Sequence, residues 1–380
     1  MDFKSKIKLT KSIIENINSE CQIDIFESSK LFNYRNKTIY SFIKNTRKLE
    51  EQDKITFQII DLEHIKIIKY LKKKKEDINI KDIFIKTNSG GYIQICITIL
   101  GSQIQNFQKY ITELFQKYNN PKIVSIYFRI YNDDTKSVFD TKEVETISIK
   151  DYTNQINKKL KETILGINLY LSPYTFSRIN SEISPKIYSK ILESNISNNI
   201  ILYGRDVYFL YKYFIKNKFE TLENLICFTH CKITYTDIIS DTDIISDTDI
   251  ISDTDIISDT DIISDTDIIS DTDIISLKTK NIKCIYSEKK DYTKNLLENS
   301  VPKSQFILTA GRNGLSSNLV DYFCKTNQIQ EIIYIACNRN SMSRDLGILK
   351  SKYKLNKSII MDEFPNTEYN NTILFLERNS

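Results

Sequence analysis

The sequence has no Trp, only two His and eight Gly among 380 residues. A usual glycine content of about 7% would give roughly three times as many, so any reading built on a glycine-rich cofactor loop starts at a disadvantage. No run of 18 apolar residues occurs, which excludes a transmembrane helix. The first residues, Met1-Asp2-Phe3-Lys4-Ser5-Lys6, lack the apolar core of a secretory signal. The seven cysteines are scattered and do not form the pattern of a disulfide framework. A reducing, intracellular setting is therefore expected, most simply the cytoplasm, with no membrane partner. What is present is the balance of a soluble folded chain, 41% apolar and 27% charged, long enough for two domains with real cores.

The net charge of +4 hides a segregation. Residues 236–276 hold 13 Asp and no Lys, Arg or Glu. Taking 13 from 49 leaves 36 acidic against 53 basic side chains, or +17 over the other 339 residues. So basic a remainder points to an anionic partner, most simply nucleic acid. The abundance of Lys, Asn and Ile also fits an AT-rich coding sequence, which raises Lys without any partner.

Residues 236–276 read TDIIS followed by six copies of DTDIIS. Six residues advance a helix by 600°, so the Ile pairs wander around it and form no stripe. On a strand, each Ile-Ile pair points one residue to either face, and Asp ladders repel. A hexapeptide solenoid coil and an Asp-rich calcium loop are alternatives. Nothing else repeats, however, and the segment has no Gly for a calcium loop's sharp turn. It reads as a disordered or loosely ordered low-complexity surface loop.

The first part of the chain reads as a small α/β module. Ile83-Phe84-Ile85 and residues 92–100 flank Asn88-Ser89-Gly90-Gly91, a hairpin signal. In the second run Ile93, Ile95, Ile97 and Ile99 share one face. Residues 103–118 carry a helical stripe that Ser102 can cap, and residues 123–131 form another strand. Lys72 to Lys75 is a basic run that reads as a solvated face or a phosphate site.

The second half alternates short apolar runs, at 200–203, 225–228, 305–308 and 331–336, with helical stretches. This is the pattern of a doubly wound sheet, whose ligands sit at the carboxyl ends of the strands. The polar ends are Tyr203-Gly204-Arg205-Asp206, residues 309–314 and Cys337-Asn338-Arg339. Ser341 reads as the N-cap of a helix after the last strand. A cysteine beside a helix N-terminus and near Arg339 and Arg344 has a route to a lowered pKa and to nucleophilic chemistry; a buried, inert cysteine is the alternative. Cys227, His230 and Cys231 offer too few ligands for zinc and read as packing.

Four segments, in order, resemble motifs of the RNA 5-methyluridine (uracil-5-) methyltransferases, of the tRNA and rRNA type. Residues 332–346, IIYIACNRNSMSRDL, are similar to that family's strand ending in Ser-Cys-Asn-Pro with a following Arg-Asp-Leu. Residues 362–367, DEFPNT, resemble its Asp-Met-Phe-Pro-x-Thr, and residues 172–180, SPYTFSRIN, its Ser-Pro-x-x-Phe-x-Gln-x-Asn. Residues 32–37, FNYRNK, resemble its Tyr-Arg-Asn-Lys. The resemblance implies an N-terminal α/β RNA-binding module over 1–165 and a Rossmann-like methyltransferase domain over 166–380, interrupted by the repeat at 236–276. It also implies S-adenosyl-L-methionine as methyl donor, tRNA or rRNA as substrate, and Cys337 as the nucleophile.

The departures from the family pattern lie in the site. The family's base Glu corresponds to Asn371, which takes up no proton; Glu368 is a possible substitute. The family's donor-binding Gln corresponds to Arg178 and the Asp of its Asp-Pro-Pro-Arg-x-Gly-Leu to Thr309. Its Tyr-Cys-Gly-x-Gly loop is reduced to a segment beginning at Tyr203. No carboxylate lies in register near Lys232 to hold a ribose, and Asp237 is the nearest substitute. The iron–sulfur cysteines of some members have no counterpart, so no cluster is expected. Arg35, Lys37 and Arg312 are the RNA-contact candidates, with structural surface charge as the alternative. A catalytically impaired relative that binds RNA is the second reading. Whether Glu363, Glu368 or Asp237 reaches the base pocket near Cys337 separates the two.

Overall fold

The computed structural model describes residues 2–42, 57–73, 80–100, 120, 122–131, 146–148, 159–173, 175–229, 231–239, 250–252, 272–277, 281–287 and 292–379. The chain forms two bodies, one of residues 1–29 with 182–380, the other of residues 30–181.

The larger body is built on a ten-stranded sheet. Its strands are β1 (Gln22–Phe26), β9 (Asn199–Gly204), β10 (Asn224–Thr229), β11 (Ile250–Ser252), β12 (Thr272–Leu277), β13 (Asn281–Ser287), β14 (Ser304–Thr309), β15 (Ile329–Ala336), β16 (Tyr353–Met361) and β17 (Asn371–Arg378). Their spatial order is β1-β16-β17-β15-β14-β9-β10-β13-β12-β11. The central run from β15 to β13 is parallel, as the alternating strand and helix pattern predicts. The antiparallel β17 lies between β15 and β16.

One face of this sheet is covered by α1 (Phe3–Ile17), α6 (Tyr292–Asn299), α7 (Ser317–Lys325) and α8 (Arg339–Leu349). Ile14, Leu296, Phe323 and Leu346 join Ile201, Phe306 and Tyr334 in a single apolar core there. Ile200, Leu202, Ile307 and Ile333 alternate with those strand residues and are equally buried. Burial on both faces explains the unbroken apolar runs of the central strands. Helices α4 (Val207–Lys218) and α5 (Lys232–Ile239) pack on each other and against β9, β10 and β13. Helix α3 (Ile183–Leu192) precedes β9.

The N-terminal segment belongs to this body, unlike the division at 165/166. Asp2 caps α1 by accepting from the Ser5 amide at 2.8 Å, and β1 pairs in parallel with β16 at the sheet edge. The repeat also departs from a plain loop. Residues 236–239 end α5, while β11 and β12 pair antiparallel to each other and β12 pairs with β13. The Ile-Ile-Ser triplets supply enough β-propensity to extend an existing edge. The rest of the repeat lies outside the described residues. Cys227 and Cys284 face each other in register on β10 and β13, with sulfurs 3.4 Å apart. Burial pushes the Cys227 thiol up, which is the behaviour of a packing residue, and His230 lies outside the described residues.

The smaller body carries a five-stranded sheet of β2 (Lys37–Ser41), β3 (Ile80–Thr87), β4 (Ile93–Leu100), β5 (Ile123–Tyr131) and β6 (Thr146–Ser148), in that order. The β3–β4 hairpin and the strand at 123–131 are those the alternation predicts. Helix α2 (Leu62–Lys72) packs Ile67, Ile68 and Leu71 into its core. The helix expected over 103–118, and Lys74 and Lys75 of the basic run, lie outside the described residues. A hairpin of β7 (Leu160–Ile164) and β8 (Ile167–Leu171) turns through Leu165 and Gly166, both at positive φ. This hairpin straddles 165/166, and the two bodies divide at 181/182 instead.

His64 of α2 is fully buried between two hydroxyls, 2.9 Å from Thr38 Oγ1 and 2.7 Å from Thr87 Oγ1. Burial, and then the charge of Arg35, push its imidazole down to about 3 from 6.5. As pH falls, the unfolded chain takes up this proton first, so the contribution is complete above about pH 6.5 and declines toward pH 3. Acidifying from pH 7 to pH 5 is expected to cost about 2 kcal/mol through this residue, read from denaturant midpoints. His64→Gln should flatten that dependence; an unchanged slope would contradict the assignment. Among the described residues of both bodies, no helix is long and apolar enough to cross a membrane.

Candidate active site

The polar ends picked out in the sequence all lie at the carboxyl edge of the parallel strands. At the end of β9, Gly204 sits at φ +103°, and a Cβ there would stand 2.3 Å from the Thr309 carbonyl oxygen. Only glycine fits that close approach of β9 to β14. The chain then enters α4 through Asp206, which is buried. Its carboxylate accepts from Tyr188 Oη and from Thr309 Oγ1, both at 2.5 Å. Thr309 is therefore tied to Asp206, and Tyr203 packs half-buried with its ring 6.3 Å from that of Phe306. Tyr203 and Thr309 stand at the strand ends where the family resemblance expects them, and Asp206 joins them through its hydrogen bond to Thr309. The sequence signal for Asp206 was an acidic residue just after the strand-ending glycine.

The next turn, residues 309–315, is fixed by Asp345 of α8. This carboxylate has no exposure and takes four hydrogen bonds. Leu315 N and Tyr334 Oη donate at 2.8 Å to one oxygen, while Arg344 Nε and Nη2 donate at 2.9 and 2.6 Å to the other. Arg344 Nη2 also donates to the carbonyls of Asn313 and Leu315 at 2.9 and 3.0 Å. Gly314 has φ +72°, and a Cβ on it would lie 2.5 Å from Asp345 Oδ2. The Arg-Asp-Leu motif thus anchors the strand-end loop.

Cys337 follows the last residue of β15 and is half-buried, with its sulfur 4.0 Å from the Ala310 carbonyl. Two expectations change around it. The helix cap is Asn338, whose side chain accepts from the Asn340 amide at 2.9 Å, so α8 begins before Ser341. Arg344 is committed to Asp345 and to carbonyls, so its charge is matched within the anchor. Arg339 Nη1 donates to the Glu368 carbonyl at 2.9 Å.

The segment between β16 and β17 closes this end of the sheet. Lys6, from α1, is fully buried and donates to Asp362 Oδ1 at 2.7 Å, to the Phe364 carbonyl at 2.8 Å and to the Tyr369 carbonyl at 3.1 Å. Arg312 stacks its guanidinium 4.7 Å from the centre of the Tyr369 ring. Asn371 is the first residue of β17, buried, and its amide donates to the carboxylate of Glu363, also buried. Glu368 is exposed, while Asp237 is buried in α5. Among the described residues no group of three or more His, Cys, Asp or Glu is placed to hold a metal ion.

Three of the residues singled out in the sequence fall in the smaller body. Arg35 donates through Nε to the Lys37 carbonyl at 2.8 Å. Lys37 donates to the Ser177 carbonyl at 3.3 Å and lies 5.2 Å from the Phe176 ring centre. Arg178 is buried within the same 172–180 motif. Lys86, which the sequence did not single out, holds that motif through the Ser172 and Thr175 carbonyls at 3.0 and 2.8 Å.

The order and direction of the strands define a Rossmann-like methyltransferase fold. The solved structure of Pyrococcus abyssi tRNA (uracil-54, C5)-methyltransferase in complex with S-adenosyl-L-homocysteine shares it, with a TM-score of 0.64 at 13% identity over 99% of this chain and 84% of that one. Residues 247–379 match the family model described as tRNA (Uracil-5-)-methyltransferase, the family whose motifs the sequence resembles. An uncharacterized RNA methyltransferase of Fusobacterium nucleatum is 24% identical over all of this chain and 79% of its own length. The 23S rRNA (uracil(747)-C(5))-methyltransferase RlmC of Xenorhabdus nematophila is 24% identical over 57% of this chain and 48% of its own length.

Proposed function

We propose that the protein is an S-adenosyl-L-methionine-dependent methyltransferase that acts on carbon 5 of uridine in tRNA or rRNA, with Cys337 as its nucleophile. The observation that carries the reading is the placement of Cys337. A half-buried thiol stands at the carboxyl end of β15, on a turn fixed by the Asn338 cap, 4.0 Å from the Ala310 carbonyl of the neighbouring strand-end loop. Carbon 5 of uracil is too weak a nucleophile to take a methyl group by itself. Addition of a thiolate to carbon 6 turns it into an enolate carbon that can.

The bound donor supplies an electrophilic methyl group. The strand ends fit such a ligand: Gly204 allows a tight turn at β9, and the backbone of residues 204–206 leads into the N-terminus of α4. Tyr203, and Thr309 held by Asp206, line this edge, and Arg178 is assigned to the donor as well. Arg35, Lys37 and Arg312 are assigned to the RNA backbone, in keeping with the basic remainder of the chain.

Calorimetry of S-adenosyl-L-methionine with the full chain tests the reading. Micromolar affinity is expected, about −8 kcal/mol. No detectable binding would overturn it and leave an RNA-binding relative of an enzyme family.

A further inference from the structure

We propose that Glu363 is the catalytic base that removes the carbon-5 proton, a role that rests on the uridine methyltransferase reading above. The reaction needs such a group. Once carbon 5 carries the methyl group and carbon 6 the sulfur of Cys337, the ring becomes aromatic again only if the carbon-5 proton leaves. Asn371 cannot accept it.

The strand registers bring a carboxylate to this place by another route. Ala336 pairs with Thr372 across β15 and β17, so the next residues along the ladder are Cys337 and Asn371. Asn371 pairs on its other side with Met361, the last residue of β16. Two residues on, the Glu363 amide donates back to the Met361 carbonyl at 3.0 Å, a tight turn that keeps the side chain at the strand end. That side chain is 2% exposed, and its carboxylate accepts from the amide of Asn371, itself 2% exposed. Cys337, Asn371 and Glu363 thus stand at the ends of three adjacent strands, with the amide and the carboxylate hydrogen-bonded to each other.

The other carboxylates at this edge are otherwise engaged or placed. Asp345 takes four donors in the α8 anchor. Asp362 is paired with Lys6, and Asp206 holds Tyr188 and Thr309. Glu368 is exposed and meets Arg339 through its main chain. Asn371, as a donor to Glu363, is a positioning residue that orients the carboxylate.

The step balances. An oxygen of Glu363 takes the proton from carbon 5, and the electrons of that C–H bond become the carbon 5–carbon 6 double bond. The carbon 6–sulfur bond breaks, its pair returns to Cys337 as the thiolate, and the proton passes from Glu363 to water.

The test uses the full chain, the methyl donor and unmodified tRNA and 23S rRNA transcripts. With Glu363→Gln, release of methylated RNA should fall by about 10²–10⁴-fold while a methylated covalent complex of protein and ordinary uridine RNA accumulates. A purely structural defect would lower complex and product together. In D2O without donor, deuterium exchange at uridine carbon 5 should fall in the same variant. The double variant Glu363→Gln/Asn371→Glu, which returns a carboxylate to the same strand end, should recover part of the turnover. Product release in Glu363→Gln within about threefold of the unmodified protein would overturn the assignment. So would accumulation of the complex in Glu368→Gln rather than Glu363→Gln. If the unmodified protein itself gives neither complex nor product, the methyltransferase reading falls and this assignment with it.

Discussion

Replacing Lys6 by Met is expected to lower folding stability by about 3–5 kcal/mol, the usual cost of breaking a buried ion pair from one side. The lysine is fully buried, and its ammonium group satisfies Asp362 and two main-chain carbonyls of the 362–370 segment. Met keeps the length of the stem and removes every donor. Burial already raises the Asp362 carboxyl above its ordinary value despite the help of Lys6. Without the lysine, Asp362 must remain charged out of water or take up a proton. Acidification protonates it, so the deficit of the variant relative to the parent should shrink as the pH falls. Chemical denaturation at two pH values measures both effects. A loss below about 1 kcal/mol would show that the clamp from α1 is dispensable.

Cys337→Ser is expected to lower methyl transfer to uridine by about 10⁴-fold or more while leaving the fold intact. A serine hydroxyl is close in size, but it is not deprotonated at neutral pH and adds poorly to carbon 6. The sulfur is half-buried and makes a long contact to the Ala310 carbonyl, so the stability change should stay within about 0.5 kcal/mol. Donor affinity should be retained, because the cysteine stands at the end of β15 and the Gly204 turn at the end of β9. Activity within about tenfold of the parent would remove Cys337 from the chemistry.

The sheet of the larger body was legible because its central strands are buried on both faces and read as continuous apolar runs between helical stretches. The run at 331–336 and the cysteine that follows it needed only local pattern. What was not legible depends on pairing between distant segments. Nothing in the local pattern of Gln22 to Phe26 says that it adds to β16, more than 330 residues away. Lys6 looks like one lysine among many, and only the fold shows it reaching Asp362.

The site was legible as a set of strand ends and illegible in its hydrogen bonding. The motif match identified Asn371 as the position where a base would stand. The carboxylate beside it comes from Glu363, eight residues earlier, across the turn that joins two antiparallel strands. Likewise Ser341 looked like a helix cap because of its residue type, but Asn338 takes that place because the chain leaves β15 sooner. The repeat misled in a different way. Its composition argues against a strand, yet β12 is held by a neighbour, β13, whose hydrogen-bonding edge lies ready beside it.

The account turns on one covalent bond, between the sulfur of Cys337 and carbon 6 of a uridine in RNA. The direct measurement incubates the full chain with methyl donor and with tRNA and 23S rRNA transcripts made with 5-fluorouridine. Fluorine cannot leave carbon 5 as a cation, so the reaction stops with RNA bound to the protein. Denaturing electrophoresis followed by mass spectrometry of the digested complex locates the bond. The account predicts a stable complex whose RNA-derived mass lies on the peptide containing Cys337. No complex with either transcript, or a complex through Cys231 or Cys324, the other half-buried thiols, would contradict it.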